Sequence, residues 1–191
     1  MIAGIVIVVV LALILLVAVG GYNRLVGLNQ ASNQAFADID VQLKQRQDLI
    51  PNLVETVKGY AGHERGTLEA VIAARNGAAA ATTVDQKVQT ESMLTGALRQ
   101  LFAVSEAYPD LKANQNFMQL QNELGDIENK LAASRRFFNN SIGEFNAARR
   151  QFPTVLFAGM FGYPQDRPFF DVGSDERATL NAGAPQVKFG T

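Results

Sequence analysis

YNRLVGLNQASNQAFADIDVQLKQRQDLIPNLVETVKGY, Tyr22 to Tyr60, is the stretch whose reading decides the fold. Within it Tyr22, Leu25, Ser32, Phe36, Ile39, Leu43, Ile50, Leu53, Val57 and Tyr60 recur at intervals of three, four or seven residues. An α-helix returns to the same face at those intervals, so the pattern predicts one long helix with a single apolar stripe. Asn29 and Arg46 interrupt the stripe. Arg46 on such a face is either paired within a bundle or extends its charge to the edge of it. Pro51 removes a backbone donor and crowds the preceding turn, which predicts a kink, but the periodicity continues past it.

Toward the N-terminus, every residue from Ile2 to Val19 is apolar or glycine. About 20 residues at roughly 1.5 Å each match the roughly 30 Å hydrocarbon core of a bilayer, so residues 1–21 read as a transmembrane anchor. Ile2, Ile5, Val9, Leu13, Leu16 and Val19 are its membrane-spanning residues. A cleaved signal peptide is the alternative, since Ala18-Val19-Gly20 resembles a cleavage site, but a basic n-region is missing and the apolar run is long for an h-region. No cysteine is present to acylate, oxidise or bind metal. Arg24, Lys44 and Arg46 follow the apolar run and none precedes it, which predicts a cytoplasmic C-terminal domain.

Toward the C-terminus, the glycines at 59, 62 and 66 predict a reversal into a short helix from about Glu64 to Ala80. A third helix begins near Asp85 and carries Val88, Leu94, Leu98, Leu101, Phe102 and Ser105 on one face, until Tyr108-Pro109-Asp110 stops it. From Leu111 onward Phe117, Leu120, Leu124, Ile127, Leu131, Ser134, Phe138, Ser141, Phe145 and Phe152 define a second long helix, which Pro153 ends. The predicted fold class is therefore all-α. A single N-terminal transmembrane helix leads into an up-and-down four-helix bundle over residues 22–152, with two long and two shorter helices packed in coiled-coil fashion. Residues 153–172 form an aromatic segment expected on the bundle or at the membrane, and residues 173–191 a polar tail. The first helix has no firm break between anchor and bundle except Gly20-Gly21.

Chemistry is harder to place. In 191 residues His63 is the only histidine, and the net charge of -1 gives no electrostatic footprint for nucleic acid. Walker, GxGxxG and GxSxG motifs are missing. His63-Glu64 is the one proton-transfer pair that a hydrolase or metal enzyme would use, and a polar turn beside a helix start explains it more simply. Asp38, Asp40 and Asp48 are read as solvated charge, with Asp40 and Lys44 an ordinary helical pair. No enzyme, catalytic residue, cofactor or metal is expected. The outer surface of the first long helix is rich in amides: Gln30, Asn33, Gln34, Gln42 and Gln45 form the candidate self-association face, continued by Gln47 and Asn52. Solubility of a helical face is the simpler explanation of the same residues. Phe157, Phe161, Phe169 and Phe170 are candidate contacts for a partner or for the membrane.

The segment IDVQLKQRQDLIPNLVETVKGYAGHE, Ile39 to Glu64, resembles the signature of the LemA family of bacterial membrane proteins. YNRLVGLNQ before it, YPDLKANQNFMQLQNEL at Tyr108 to Leu124, and the Phe152-Pro153 and Phe169-Phe170 pairs continue the likeness over nearly the whole chain. The resemblance implies one N-terminal membrane helix, a four-helix bundle and no established catalytic activity. Some members shape magnetosome membranes, and others have been connected to signalling or antigen presentation. Phe36 stands where the family often has tryptophan, and Gly62 and Gly66 depart around the bend. Two functions follow as expectations. The first is a single-pass protein of the bacterial inner membrane that associates with itself and with the lipid bilayer as a structural scaffold. The second is an adaptor that recruits another membrane protein through the aromatic segment.

Overall fold

The periodic stretch and the apolar run before it form one uninterrupted helix, α1, from Ile2 to Ala61 in the computed structural model, which describes residues 1–170. Gly20 and Gly21 do not break it: a helical glycine costs only about 1 kcal/mol relative to alanine. Pro51 lies within α1 on an exposed position. Four more helices follow: α2 (Arg65–Ala80), α3 (Val84–Ser105), the single turn α4 (Pro109–Lys112) and α5 (Gln115–Arg150), then a 3-10 turn at Thr154–Leu156. The protein is all-helical among the described residues, as its periodicities predict. The polar tail expected at 173–191, and the last two positions of the aromatic segment at 171–172, lie outside the described residues.

The chain divides into two units, and α1 and α5 contribute to both. The first comprises residues 1–46 and 123–169. Here α1 and α5 run antiparallel: Arg46 pairs with Glu128 at 3.3 Å, Phe36 meets Phe138 at 5.5 Å between ring centroids, and Leu25 clusters with Phe145 and Ala148. Leu25, Ala35, Ile39 and Leu43 from α1, and Leu131, Phe138, Ile142 and Phe145 from α5, are buried. The polar interruption at Arg46 is thus a paired guanidinium inside the helix pair. Residues Ile2 to Val19 carry no such cover: their large apolar side chains are exposed, and the segment is long and apolar enough to cross a membrane.

The second unit comprises residues 47–122 with Phe170. Ile50, Leu53 and Val57 from α1, Leu68 and Val71 from α2, Leu94, Leu98 and Leu101 from α3, Leu111 from α4 and Phe117 from α5 supply its core. Helical segments of this kind, each turning apolar side chains inward, are consistent with the helical bundle that the sequence predicts. Gln47 is a correction: expected on the outer amide surface, it is buried, with its Nε2 3.5 Å from Glu91 Oε1 and its carbonyl accepting from Arg75 Nε at 3.3 Å. At the α1–α2 bend, a Cβ on Gly62 would stand 3.0 Å from the Lys58 carbonyl, tighter than most side chains sit, so glycine suits this reversal.

Helix α3 starts one residue before the position expected, because Thr83 caps it. The Thr83 hydroxyl accepts from the Gln86 amide at 3.3 Å, and Gln86 Oε1 accepts from the Thr83 amide at 3.2 Å. This reciprocal capping box satisfies two backbone donors that a helix start leaves open. Thr83→Ala is expected to cost about 1 kcal/mol of stability in chemical denaturation, with the fold retained.

Candidate functional site

The residues after α5 turn back onto the stretch of α1 just beyond its apolar segment. The Phe152–Pro153 peptide bond is cis, and the turn that follows carries Thr154 to Gly21: a Cβ on that glycine would stand 3.2 Å from the Thr154 hydroxyl. Arg24 donates to Gln151 Oε1 at 3.3 Å. Tyr22 packs edge-on against Phe161 with centroids 5.2 Å apart, and Tyr163 meets Phe145 in the same way at 5.3 Å. Leu25, Phe145, Ala148 and Ala158 form the buried centre of this contact, with Leu28, Phe161 and Tyr163 around it.

A polar clamp holds the rest of the segment. Asn146 brackets the Arg167 backbone: its Nδ2 donates to the Arg167 carbonyl at 3.0 Å and its Oδ1 accepts from the Arg167 amide at 2.9 Å. The Arg167 guanidinium then reaches α1, donating to Asn29 Oδ1 at 2.9 Å and to the Ser32 hydroxyl, which itself donates to the Asn29 carbonyl at 2.8 Å. Burial pulls the Arg167 guanidinium below its ordinary value. One residue earlier, Asp166 accepts from Arg149 at 2.7 and 2.8 Å and pairs with Arg150 through its other oxygen. Two arginines on one carboxylate leave this end of the helix pair electropositive, and Arg24 adds to it.

The sequence-predicted residues are distributed as follows. Gln30, Asn33, Gln34 and Gln45 are exposed on α1, whereas Gln42 is half-buried and its Oε1 is enclosed without a hydrogen-bond partner. Gln42 therefore belongs to the inner side of the helix. Phe157 and Phe161 are half-buried and stack at 6.1 Å, and Phe169 is exposed. Phe170, read from the sequence as a contact residue, is instead buried: the FF pair splits its roles. Phe152, Val155, Leu156 and Met160 are exposed as well; the sequence points to Phe152, Leu156 and Met160 as part of the aromatic segment, and not to Val155. His63 is exposed in the α1–α2 turn, and the neighbouring Glu64 carboxylate accepts from the Tyr108 hydroxyl at 3.1 Å, which raises the Tyr108 pKa. Tyr60 Oη accepts from Asn114 Nδ2 at 2.9 Å beside it. These contacts tie helix ends together. Among the described residues no three His, Asp or Glu side chains converge on a point that a metal would fill.

Comparison with known proteins adds three findings. The model of the LemA family matches residues 35–189. The chain is 20% identical over 176 residues to Magnetosome protein MamQ of Magnetospirillum gryphiswaldense, an alignment covering 78% of this chain and 65% of that protein. It is 28% identical over 136 residues to Protein LemA of Metamycoplasma hominis, covering 69% of this chain and 60% of that protein. The chain thus spans somewhat less than two thirds of the length of either relative.

Proposed function

We propose, from the premise that the chain belongs to the LemA family, that it is a single-pass scaffold of the bacterial cell membrane whose copies associate side by side through α1. The observation that carries this reading is the continuity of α1. One helix joins the uncovered apolar segment to the buried stripe that follows it. Along the outer face of the same helix, exposed Gln30, Asn33, Gln34 and Gln45 alternate with exposed Val26, Ala37 and Val41. Amides between small apolar residues suit a helix-to-helix seam, because they hydrogen-bond across it without the cost of burying charge. The similarity to a protein named for the magnetosome leans the same way. The bundle lies on the cytoplasmic side in this reading, since Arg24, Arg149 and Arg150 gather where the apolar segment ends and the cytoplasmic leaflet is anionic.

An adaptor that captures another membrane protein through its aromatic segment has less support. Phe170 is buried, and Phe161 is packed against Tyr22 on the protein's own core.

Lysine at both Gln30 and Gln34 tests the scaffold reading. Both positions are exposed, so stability should stay within about 0.5 kcal/mol of the parent, while facing like charges should separate the copies. Assembly in lipid that is the same size with and without the two lysines contradicts this use of the face.

A further inference from the structure

We propose that the loop after α5, through Phe152, Val155, Leu156 and Met160, inserts into the acyl–headgroup boundary of the bilayer that the anchor enters, giving the protein a second membrane contact. The inference rests on the anchor crossing the bilayer and does not depend on self-association. Depth follows from helix geometry. Val19 ends the apolar run, and Arg24 lies about 7.5 Å further along the helix at 1.5 Å per residue. The headgroup region occupies roughly 5–8 Å on each side of the hydrocarbon core. Thr154 at Gly21, Phe161 at Tyr22 and Gln151 at Arg24 fix the loop at that level of α1. In that zone the side chains of Phe152 (79% exposed), Val155 (47%), Leu156 (63%) and Met160 (84%) are uncovered. Four large apolar side chains uncovered within nine residues of one loop are costly in water and suit a membrane interface.

The charges nearby fit the same occupant. Arg149 and Arg150 share Asp166, and Arg24 stands beside the loop, so phosphates would meet guanidinium groups around an apolar centre. The loop is also held from behind. Ala158 and Thr154 are buried, and the Asn146 clamp fixes the chain that leaves the loop, so exposure of Leu156 and Met160 is imposed by packing on either side.

Because the chain has no tryptophan, single introduced indoles report depth without background. Full-length protein in phospholipid vesicles would carry one tryptophan at a time: Phe152→Trp and Leu156→Trp on the loop, Leu13→Trp in the anchor, and Phe137→Trp at an exposed site in the middle of α5. Lipids brominated at different acyl positions then quench by proximity. Loop indoles are expected to emit further to the blue than Phe137→Trp and to be quenched best by bromines near the headgroup, with Leu13→Trp quenched best by bromines deep in the chain. Loop emission that is water-like, or blue-shifted but untouched by any brominated lipid, overturns the inference, the second result meaning that protein covers the loop. Failure of Leu13→Trp to be quenched would instead overturn the anchor reading beneath it.

Discussion

Arginine at both Val9 and Leu13 moves the protein from the membrane to the soluble fraction or to degradation. The fourteen Ile, Leu and Val residues between Ile2 and Val19 favour insertion by about 0.3–0.6 kcal/mol each, roughly 4–8 kcal/mol together. One central arginine costs about 2.5–3.5 kcal/mol, which the remaining apolar residues outweigh, so a single substitution leaves much of the protein inserted. Two cost about 5–7 kcal/mol and bring the balance near or below zero. Fractionation with alkaline carbonate extraction distinguishes the single from the double variant. Retention of the double variant at the parental level would mean that Ile2–Val19 is not what holds the protein to the membrane.

Phe145→Ala is the costliest single change expected in the helix pair, at about 3–5 kcal/mol. Phe145 is fully buried among Leu25, Ala148 and Ala158, and its ring meets Tyr163 edge-on, so truncation removes transfer energy and leaves a void that rigid helix backbones cannot close. Phe145→Leu keeps most of the volume and should cost less than about 1.5 kcal/mol. Phe152→Ala, at an exposed ring, should stay within about 0.5 kcal/mol in detergent. Denaturant titration of the three variants gives the ordering. Limited proteolysis adds a local readout, with cleavage after Gln151 appearing first in Phe145→Ala because the segment loses the core on which it folds back.

Much of this architecture was legible in the residues, and the reason is periodicity. Leu25, Ile39, Leu43, Ile50, Leu53 and Val57 sit on one helical face in the sequence and are all buried in the structure. The same holds for Phe117, Leu124, Leu131, Phe138 and Phe145 of α5. Periodicity identifies a face and says nothing of what opposes it. The polar members of the α1 stripe show this limit. Asn29 and Ser32 are where Arg167 arrives and Arg46 is where Glu128 arrives, and partners so far away in sequence leave no local signal. Gln47 departs from the expectation for a related reason: its side chain meets Glu91, a partner 44 residues away. The segment after α5 was legible as aromatic and ordered. Composition does not say which of its rings turn inward: Phe170 is buried, while Phe152 and Leu156 are uncovered.

The mass of the full-length chain in lipid, measured by mass photometry with electron microscopy at rising surface density, bears most directly on the scaffold. A regular assembly of several copies that lysine at Gln30 and Gln34 reduces to smaller species is the predicted result. A protein that stays monomeric in lipid at high density contradicts it.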